Sequence, residues 1–511
     1  MEKNIKKEIA NRQSKGELHL RIKKHPILDF IWEKPISFTF NNKKFEAYAS
    51  DSIASALHAN HITTFSTSIR FNRPRGFFCG IGKCSSCLME VNGIPNVRTC
   101  IAPITPEVVV NTQKKYASWP KTSDDYADKK QSINTDLLVI GAGPAGMEAS
   151  IQAAKQGAKV LLVDENQQVG GQLIKQTHKF FGSKQEKAGT RGINIAKELR
   201  ETIQSLEKND DITLLLDSTV FGFYEGNKRK KENQFTFGII KRDGYHSQLC
   251  EVTCKAAVIS VGAMENMVLF PGNDLPGVYG AGAVQTLMNV YGVKPGQHMI
   301  MVGAGNVGLI VSYQLLQAGI HVSCVVEAAP YIGGYHVHAA KLRRCGVPIY
   351  TRSSIKEVLG KDHVKGAVIV KLDENWESIK GTEETINCDT VCLAVGLTPS
   401  TRILSQIGVS MTTIPEAGGY IALHDDTMQT SIPHIYVAGD ASGIEEASTA
   451  MIEGKIAGLK AANALGFKSK DANTLFSTFK NELYRLRAGP FGEKARLAKE
   501  KIESSWGKDH E

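Results

Sequence analysis

Two glycine-rich turns of the same design, GAGPAG beginning at Gly141 and GAGNVG beginning at Gly303, restrict this chain more than anything else in it. Each follows an apolar run short enough to be a buried strand and precedes a stretch that reads as a helix. In such a turn the first glycine permits the tight bend, the second lets a phosphate approach the backbone, and the third lets the helix lie close on the strand. Gly141, Gly143 and Gly146 hold these places in the first copy, and Gly303, Gly305 and Gly308 in the second. A further strand follows each helix, residues 160–163 leading into Asp164 and residues 322–326 leading into Glu327. A carboxylate there is placed to accept ribose hydroxyls, while the helix N-terminus turns its positive end toward a pyrophosphate. One glycine pattern alone is weak evidence. Two, each with both strands, helix and acid, predict a duplicated Rossmann-like fold.

The second distinctive segment is CGIGKCSSCLMEVNGIPNVRTC, with the spacing Cys79-x4-Cys84-x2-Cys87-x12-Cys100. Four thiolates, two for each iron, are what a [2Fe-2S] cluster needs, and C-x4-C-x2-C…C is the plant-type order. Gly80 and Gly82 allow the loop to curl so that backbone N–H groups approach the sulfurs. A hairpin, residues 88–91 and 97–99 about Asn92-Gly93, is expected to return Cys100 to the loop. A zinc site would favour two C-x2-C pairs, and this segment supplies one. Before it, residues 36–40 and 45–49 flank Asn41-Asn42-Lys43-Lys44 as a hairpin. Asp51 and Ser52 offer the cap of a helix, and residues 107–110 a closing strand. This suits a small β-grasp domain.

Length and charge set the remaining bounds. At 511 residues the chain exceeds one compact core. Its net charge of +9 is concentrated toward both ends, without the interleaved aromatics of a nucleic-acid platform. No apolar run reaches the roughly 18–20 residues of a membrane span, and the first sixteen residues lack an export signal, so a cytoplasmic location is expected. The expected division is a polar tail over 1–24, the [2Fe-2S] domain over 25–112, a linker over 113–133, a first nucleotide domain over 134–290 and 381–465, a second inserted over 291–380, and a helical tail over 466–511.

Late in the chain, IPHIYVAGDASG runs a short strand into Gly439 and Asp440, followed by a helix. With this motif the chain resembles the two-dinucleotide-binding flavoproteins, in which the FAD domain is split by an NAD-type domain. The resemblance implies that Asp440 and Gly439 meet the FAD, together with Gly141, Gly143, Pro144, Ala145, Gly146, Asp164, Glu165, Gly171 and Gln172. It implies fold class α/β and α+β, a β-grasp domain followed by two Rossmann-like domains. Glu327, with no arginine in the next few residues, favours NAD over NADP at the second turn. Whether that turn holds NAD, another adenine nucleotide or nothing is open.

The stretches Arg73–Cys87, GAGPAG, GGQL, Val261–Met288, GAGNVG, AVGLTP and VAGD occur in one order. In that order the chain resembles the large subunits of bacterial amine-oxidising complexes. These are heterotetrameric sarcosine oxidase, opine oxidase, dye-linked proline dehydrogenase, and hydrogen cyanide synthase with its first two subunits joined. The resemblance implies an electron-relaying subunit working with a smaller FAD-containing partner that oxidises a secondary amine or amino acid, and an external electron acceptor. A folate-binding C-terminal region and a second cluster are not expected. A self-sufficient NADH-dependent reductase and a non-catalytic nucleotide-binding scaffold are the alternatives. Disulfide reduction is disfavoured, because Gln172-Leu173 follows Gly170-Gly171 where a redox cysteine pair would be needed. Cys250/Cys254 and Cys388/Cys392 read as core thiols. His178, His336 and His338 form no metal set, and no catalytic acid or base stands out.

Overall fold

In the computed structural model, residues 20–32, 34–113, 116–117, 130–179, 187–225, 234–243, 246–489 and 492–509 are described. Most of the expected N-terminal tail and of the linker lies outside them. The chain divides into two compact units, Met1–Lys121 with Glu265–Val395, and Thr122–Met264 with Gly396–Glu511.

The first unit begins as a β-grasp. Strand Ile36–Phe40 pairs antiparallel with Lys43–Ala47 and parallel with Val109–Asn111, and the sheet is completed by Leu88–Val91 and Ile94–Arg98. The first hairpin is tighter than expected. Asn41 and Asn42 both take positive φ (46° and 64°), which makes a two-residue turn and draws Lys43 and Lys44 into the strand. Helix Ile53–Ala59 starts at Ser52, whose hydroxyl accepts from Ser55 N in a capping box.

The same unit contains the second nucleotide sheet. Its parallel strands run Val278–Gly280, Thr390–Leu393, His298–Val302, His321–Val326 and Ile349–Tyr350. Thr390–Leu393 lies outside the expected 291–380 insert, as does Val278–Gly280. Both are apolar runs without a glycine turn, so nothing local assigns them to a sheet. The β-grasp is tied to this sheet by main-chain bonds: Ile22 N to Gly292 O and Lys294 N to Leu20 O at 2.7 Å, and Gly280 N to Phe78 O at 3.0 Å. Arg21 reinforces the join, donating to Tyr291 O at 3.2 Å and pairing with buried Asp51.

The second unit is built on a seven-stranded sheet. Ile212–Leu215, Val160–Val163, Gln131–Ile140 and His246–Ile259 are parallel neighbours, and Ile435–Val437 joins beside the last. The strand before the first turn starts at Gln131, inside the expected linker. Helix Pro144–Lys155 packs against Ala447–Ala464 with almost no space between them. A Cβ on Gly454 would lie 2.1 Å from Ala145 O, and one on Gly458 would lie 2.1 Å from Ala149 O. Helices Ala472–Arg487 and Glu493–Asp509 complete the unit.

Candidate functional site

The first glycine turn has the walls that its spacing implies. A Cβ at Gly141 would meet Ser260 O at 2.4 Å, and one at Gly146 would meet Gly141 O at 1.7 Å, so neither position admits a side chain. A Cβ at Gly143 would meet nothing within 4 Å. The closed positions bring helix, strand and turn together, and the open one leaves room for a phosphate. Gly171 closes the far side, its own Cβ direction meeting Gly143 Cα at 2.8 Å. These residues therefore fit a dinucleotide.

The second turn repeats the geometry. Gly303 and Gly308 are blocked by Ala394 O at 2.3 Å and Gly303 O at 2.0 Å, and Gly305 is open. The acids repeat too. Asp164 Oδ2 accepts from Ala142 N at 2.6 Å, and Glu327 Oε2 accepts from Ala304 N at 2.7 Å. The other oxygen of each turns to the chain two residues on, Asn166 N at 2.8 Å and Ala329 N at 2.9 Å. Each carboxylate thus braces its own glycine turn, with lone pairs left for a ribose. Burial pushes the Asp164 carboxyl up, and the Ala142 and Asn166 amides oppose it.

One difference separates the copies. Asp217 N bonds Asn166 O in the first, and Arg352 N bonds Ala329 O in the second, each at 3.0 Å and each with positive φ. The parallel strand Ile349–Tyr350 thereby brings an arginine beside the tip of the Glu327 strand. A search along the sequence just after Glu327 misses it.

Gly439 and Asp440 form a short helical turn after Ile435–Val437. Sequence reading missed what stands behind them. Gly439 N donates to Glu453 Oε2 at 2.9 Å, and Ser442 Oγ donates to the same oxygen at 2.8 Å. Glu453 Oε1 receives Arg487 Nη2 at 2.6 Å and Lys499 Nζ at 2.8 Å. Lys499 also donates to Ser442 O at 2.8 Å, and Arg487 pairs with Glu445 at 2.7 Å. Burial alone would raise the Glu453 carboxyl, but Lys499 and Arg487 together hold it down, to about 2. The C-terminal helices therefore insert two cations beneath the Gly439 turn. Asp440 is pushed up to about 7, chiefly by burial.

In the first unit the four cysteines converge. Gly82 N points at Cys100 Sγ at 3.3 Å, and Lys83 N and Cys84 N at Cys79 Sγ at 3.4 Å. Hydrogen bonding from Cys100 pulls Cys79 and Cys87 down and pushes Cys100 itself up, while bonding to Cys79 pushes Cys84 up. Four neighbouring cysteine sulfurs with backbone N–H groups aimed at them fit the donor set of a [2Fe-2S] centre. Among the described residues no three ligands gather about a single ion, whereas a two-iron cluster asks only two thiolates of each iron. Cys254 and Cys392 are pushed up by burial within core strands, and Cys388 to about 12, which leaves them protonated.

Residues 135–454 match the pyridine nucleotide-disulphide oxidoreductase family, more than half of the chain, and the chain belongs to that family. Residues 33–115 match the 2Fe-2S iron–sulfur cluster binding domain. The two matches together mark an oxidoreductase chain with the domains for FAD and a 2Fe-2S cluster. The alpha chain of sarcosine oxidase from Rhizobium meliloti is 26% identical over 82% of this chain and 45% of its own length. An opine oxidase chain from Agrobacterium tumefaciens is 28% identical over 64% of this chain and 65% of its own. The chain spans about half the length of the sarcosine oxidase chains it matches. In fold it is similar to L-proline dehydrogenase from P. horikoshii, with a TM-score of 0.66 and 22% identity over 90% of this chain and 79% of that one. No helix among the described residues is long and apolar enough to cross a membrane.

Proposed function

We propose that this chain is the electron-relaying large subunit of a complex that oxidises a secondary amine or amino acid of the sarcosine, proline, hydroxyproline, opine or glycine class. The observation that carries this reading is one chain holding a four-cysteine loop and two glycine turns, with Gln172-Leu173 in place of a redox cysteine pair. Relatives that align with 82% and 64% of this chain bear the names of sarcosine and opine oxidase chains.

Cys79, Cys84, Cys87 and Cys100 would hold the cluster. Gly141, Gly143, Pro144, Ala145, Gly146, Asp164, Glu165, Gly171, Gln172, Gly439 and Asp440 would hold FAD. When bound, a flavin takes an electron pair and a [2Fe-2S] centre passes electrons singly. The chain's own residues then bind and position. The first turn offers amides and a helix N-terminus to the pyrophosphate. Glu453 fixes the Gly439 turn through its amide, so Asp440 is presented at a set angle. No side chain need move a proton from the amine, because a smaller partner protein performs that step.

Gly303, Gly305, Gly308 and Glu327 support a second reading, an NADH-dependent reductase, because their blocked and open glycines and bracing acid repeat those of the first turn. Anaerobic absorbance of the purified holoprotein separates the two. Bleaching only by amine with the small partner supports the relay role. Bleaching by NADH alone makes the chain a pyridine-nucleotide reductase.

A further inference from the structure

The cysteine loop does not present its four ligands equally. Cys79, Cys87 and Cys100 are 2–3% exposed, whereas Cys84 is only half-buried and is followed by exposed Ser85 at φ 63°. The cluster edge nearest solvent is therefore the Cys84 edge. Against it lies a small hairpin, Ser66–Thr67 paired with Pro74–Arg75, attached through Ser66 Oγ to Ser86 O at 3.4 Å.

The tip of that hairpin is unlike an ordinary solvated turn. It exposes Phe71 (64%) and Ile69 (47%), and Phe71 is flanked by the guanidinium groups of Arg70 and Arg73, each 5.2 Å from its ring. Arg73 and Arg75 both reach Asp274, at 3.7 and 3.5 Å, which ties the hairpin to the segment carrying exposed Met267 and Leu269. From Ser52 to Met89 the chain has no Asp or Glu, while Arg70, Arg73, Arg75 and Lys83 all fall within it. An aromatic and aliphatic tip set among arginines is the composition of an interface centre rather than of free surface.

We infer that the hairpin tip Ile69–Arg73, beside the Cys84 edge, is the docking surface for an acidic one-electron carrier protein that takes electrons from the cluster. This rests on the reading that the chain relays electrons through that cluster. The charge supplies the direction of the argument: Arg73 and Arg75 share the one carboxylate of Asp274, and Arg70 stands beside them, so the rim keeps a net positive charge that selects and steers a carboxylate-rich partner. Position supplies the rest, since the hairpin that carries Phe71 is bonded at its base to Ser86, two residues from the ligand nearest solvent. In each encounter one electron leaves the reduced cluster and the carrier is reduced by one. Only the electron crosses between the proteins, any proton that the carrier's cofactor takes up on reduction comes from solvent, and two encounters discharge one electron pair.

The test uses the holoprotein and flavodoxin, an acidic one-electron carrier, with basic cytochrome c as the opposite-charge control. Binding with both proteins oxidised is measured by surface plasmon resonance, and electron transfer from the reduced cluster by stopped flow. Flavodoxin binding and rate are expected to fall about tenfold or more between low and high salt. Similar losses are expected in Arg70→Glu and Phe71→Ala, whereas cytochrome c should gain in Arg70→Glu. Arg70 forms no ion pair among the described residues, so this variant should keep the wild-type melting curve and cluster spectrum. Equal flavodoxin affinity in wild type and Arg70→Glu would overturn the proposal, as would retention of the tip only by anionic phospholipid vesicles. If the cluster spectrum is absent from wild type, the relay reading fails instead, and the binding arm still reports on the surface.

Discussion

Lys499 Nζ lies 2.8 Å from Glu453 Oε1, while the other oxygen of the same carboxylate accepts the amide of Gly439 at 2.9 Å. One side chain of the helix Glu493–Asp509 thus grips the turn expected to face the flavin twice, at Ser442 directly and at Gly439 through Glu453. Lys499→Met would leave Glu453 buried with one cation fewer, at a cost of about 3–5 kcal/mol. The expected outcome is a lower melting temperature and faster FAD release, followed by flavin fluorescence. Lys499→Arg should restore much of both.

His424 lies in the same unit, 4% exposed, with Nδ1–H donating to Asp425 O at 2.9 Å and Nε2 without a partner among the described residues. Burial, with Lys499 adding to it, lowers its pKa from 6.5 to about 4. Between those values the unfolded chain binds a proton that the folded chain refuses. Stability is therefore full above pH 6.5 and is lost as pH falls toward 4, by roughly 2–3 kcal/mol. Urea titrations at several pH values should show this slope in wild type and a flatter one in His424→Asn.

The open and closed glycines make opposite predictions. Gly143→Ala places a methyl where nothing stands within 4 Å, so apoprotein stability should be unchanged while FAD affinity falls about tenfold or more, equal to about 1.4 kcal/mol. Gly146→Ala drives its methyl into Gly141 O and should destabilise the apoprotein itself by about 1–3 kcal/mol. Thermal denaturation and FAD titration, run side by side, distinguish the two.

For the cluster, Cys79→Ser, Cys84→Ser, Cys87→Ser and Cys100→Ser should each abolish or alter the electron paramagnetic resonance signal of the reduced protein. Cys388→Ser should leave it intact, since that thiol is buried within a core cluster of the second nucleotide sheet. Iron and labile sulfide assays check the same variants.

How much of the fold and site is legible in the residues alone follows from the range of each interaction. The glycine turns, Asp164, Glu327 and the cysteine loop lie within short stretches whose spacing carries their geometry, and they are readable residue by residue. Hairpin ends slip by two or three residues, because the positive φ of Asn41 and Asn42 is a choice among turn types that composition alone leaves free. Thr390–Leu393 cannot be assigned to its sheet, since parallel pairing joins segments with no local signal. Arg352 and Lys499 escape notice for a related reason. Each acts on a residue brought close only by tertiary structure, Arg352 beside Glu327 through a strand pair and Lys499 through helix packing. A polar C-terminal stretch reads as a tail because a lysine's burial is invisible until its acid is found.

The bonds from Ile22 to Gly292, from Leu20 to Lys294 and from Phe78 to Gly280 have a consequence for how such proteins can be taken apart. They make the iron–sulfur module and the inserted nucleotide module a single inheritable piece, although more than a hundred residues of another unit separate them along the chain. A graft or gene fusion that cuts only after residue 121 would carry away half of a joint. The natural seams lie near residues 121, 264 and 395, and a chimera that respects all three would move the β-grasp and the inserted nucleotide sheet together.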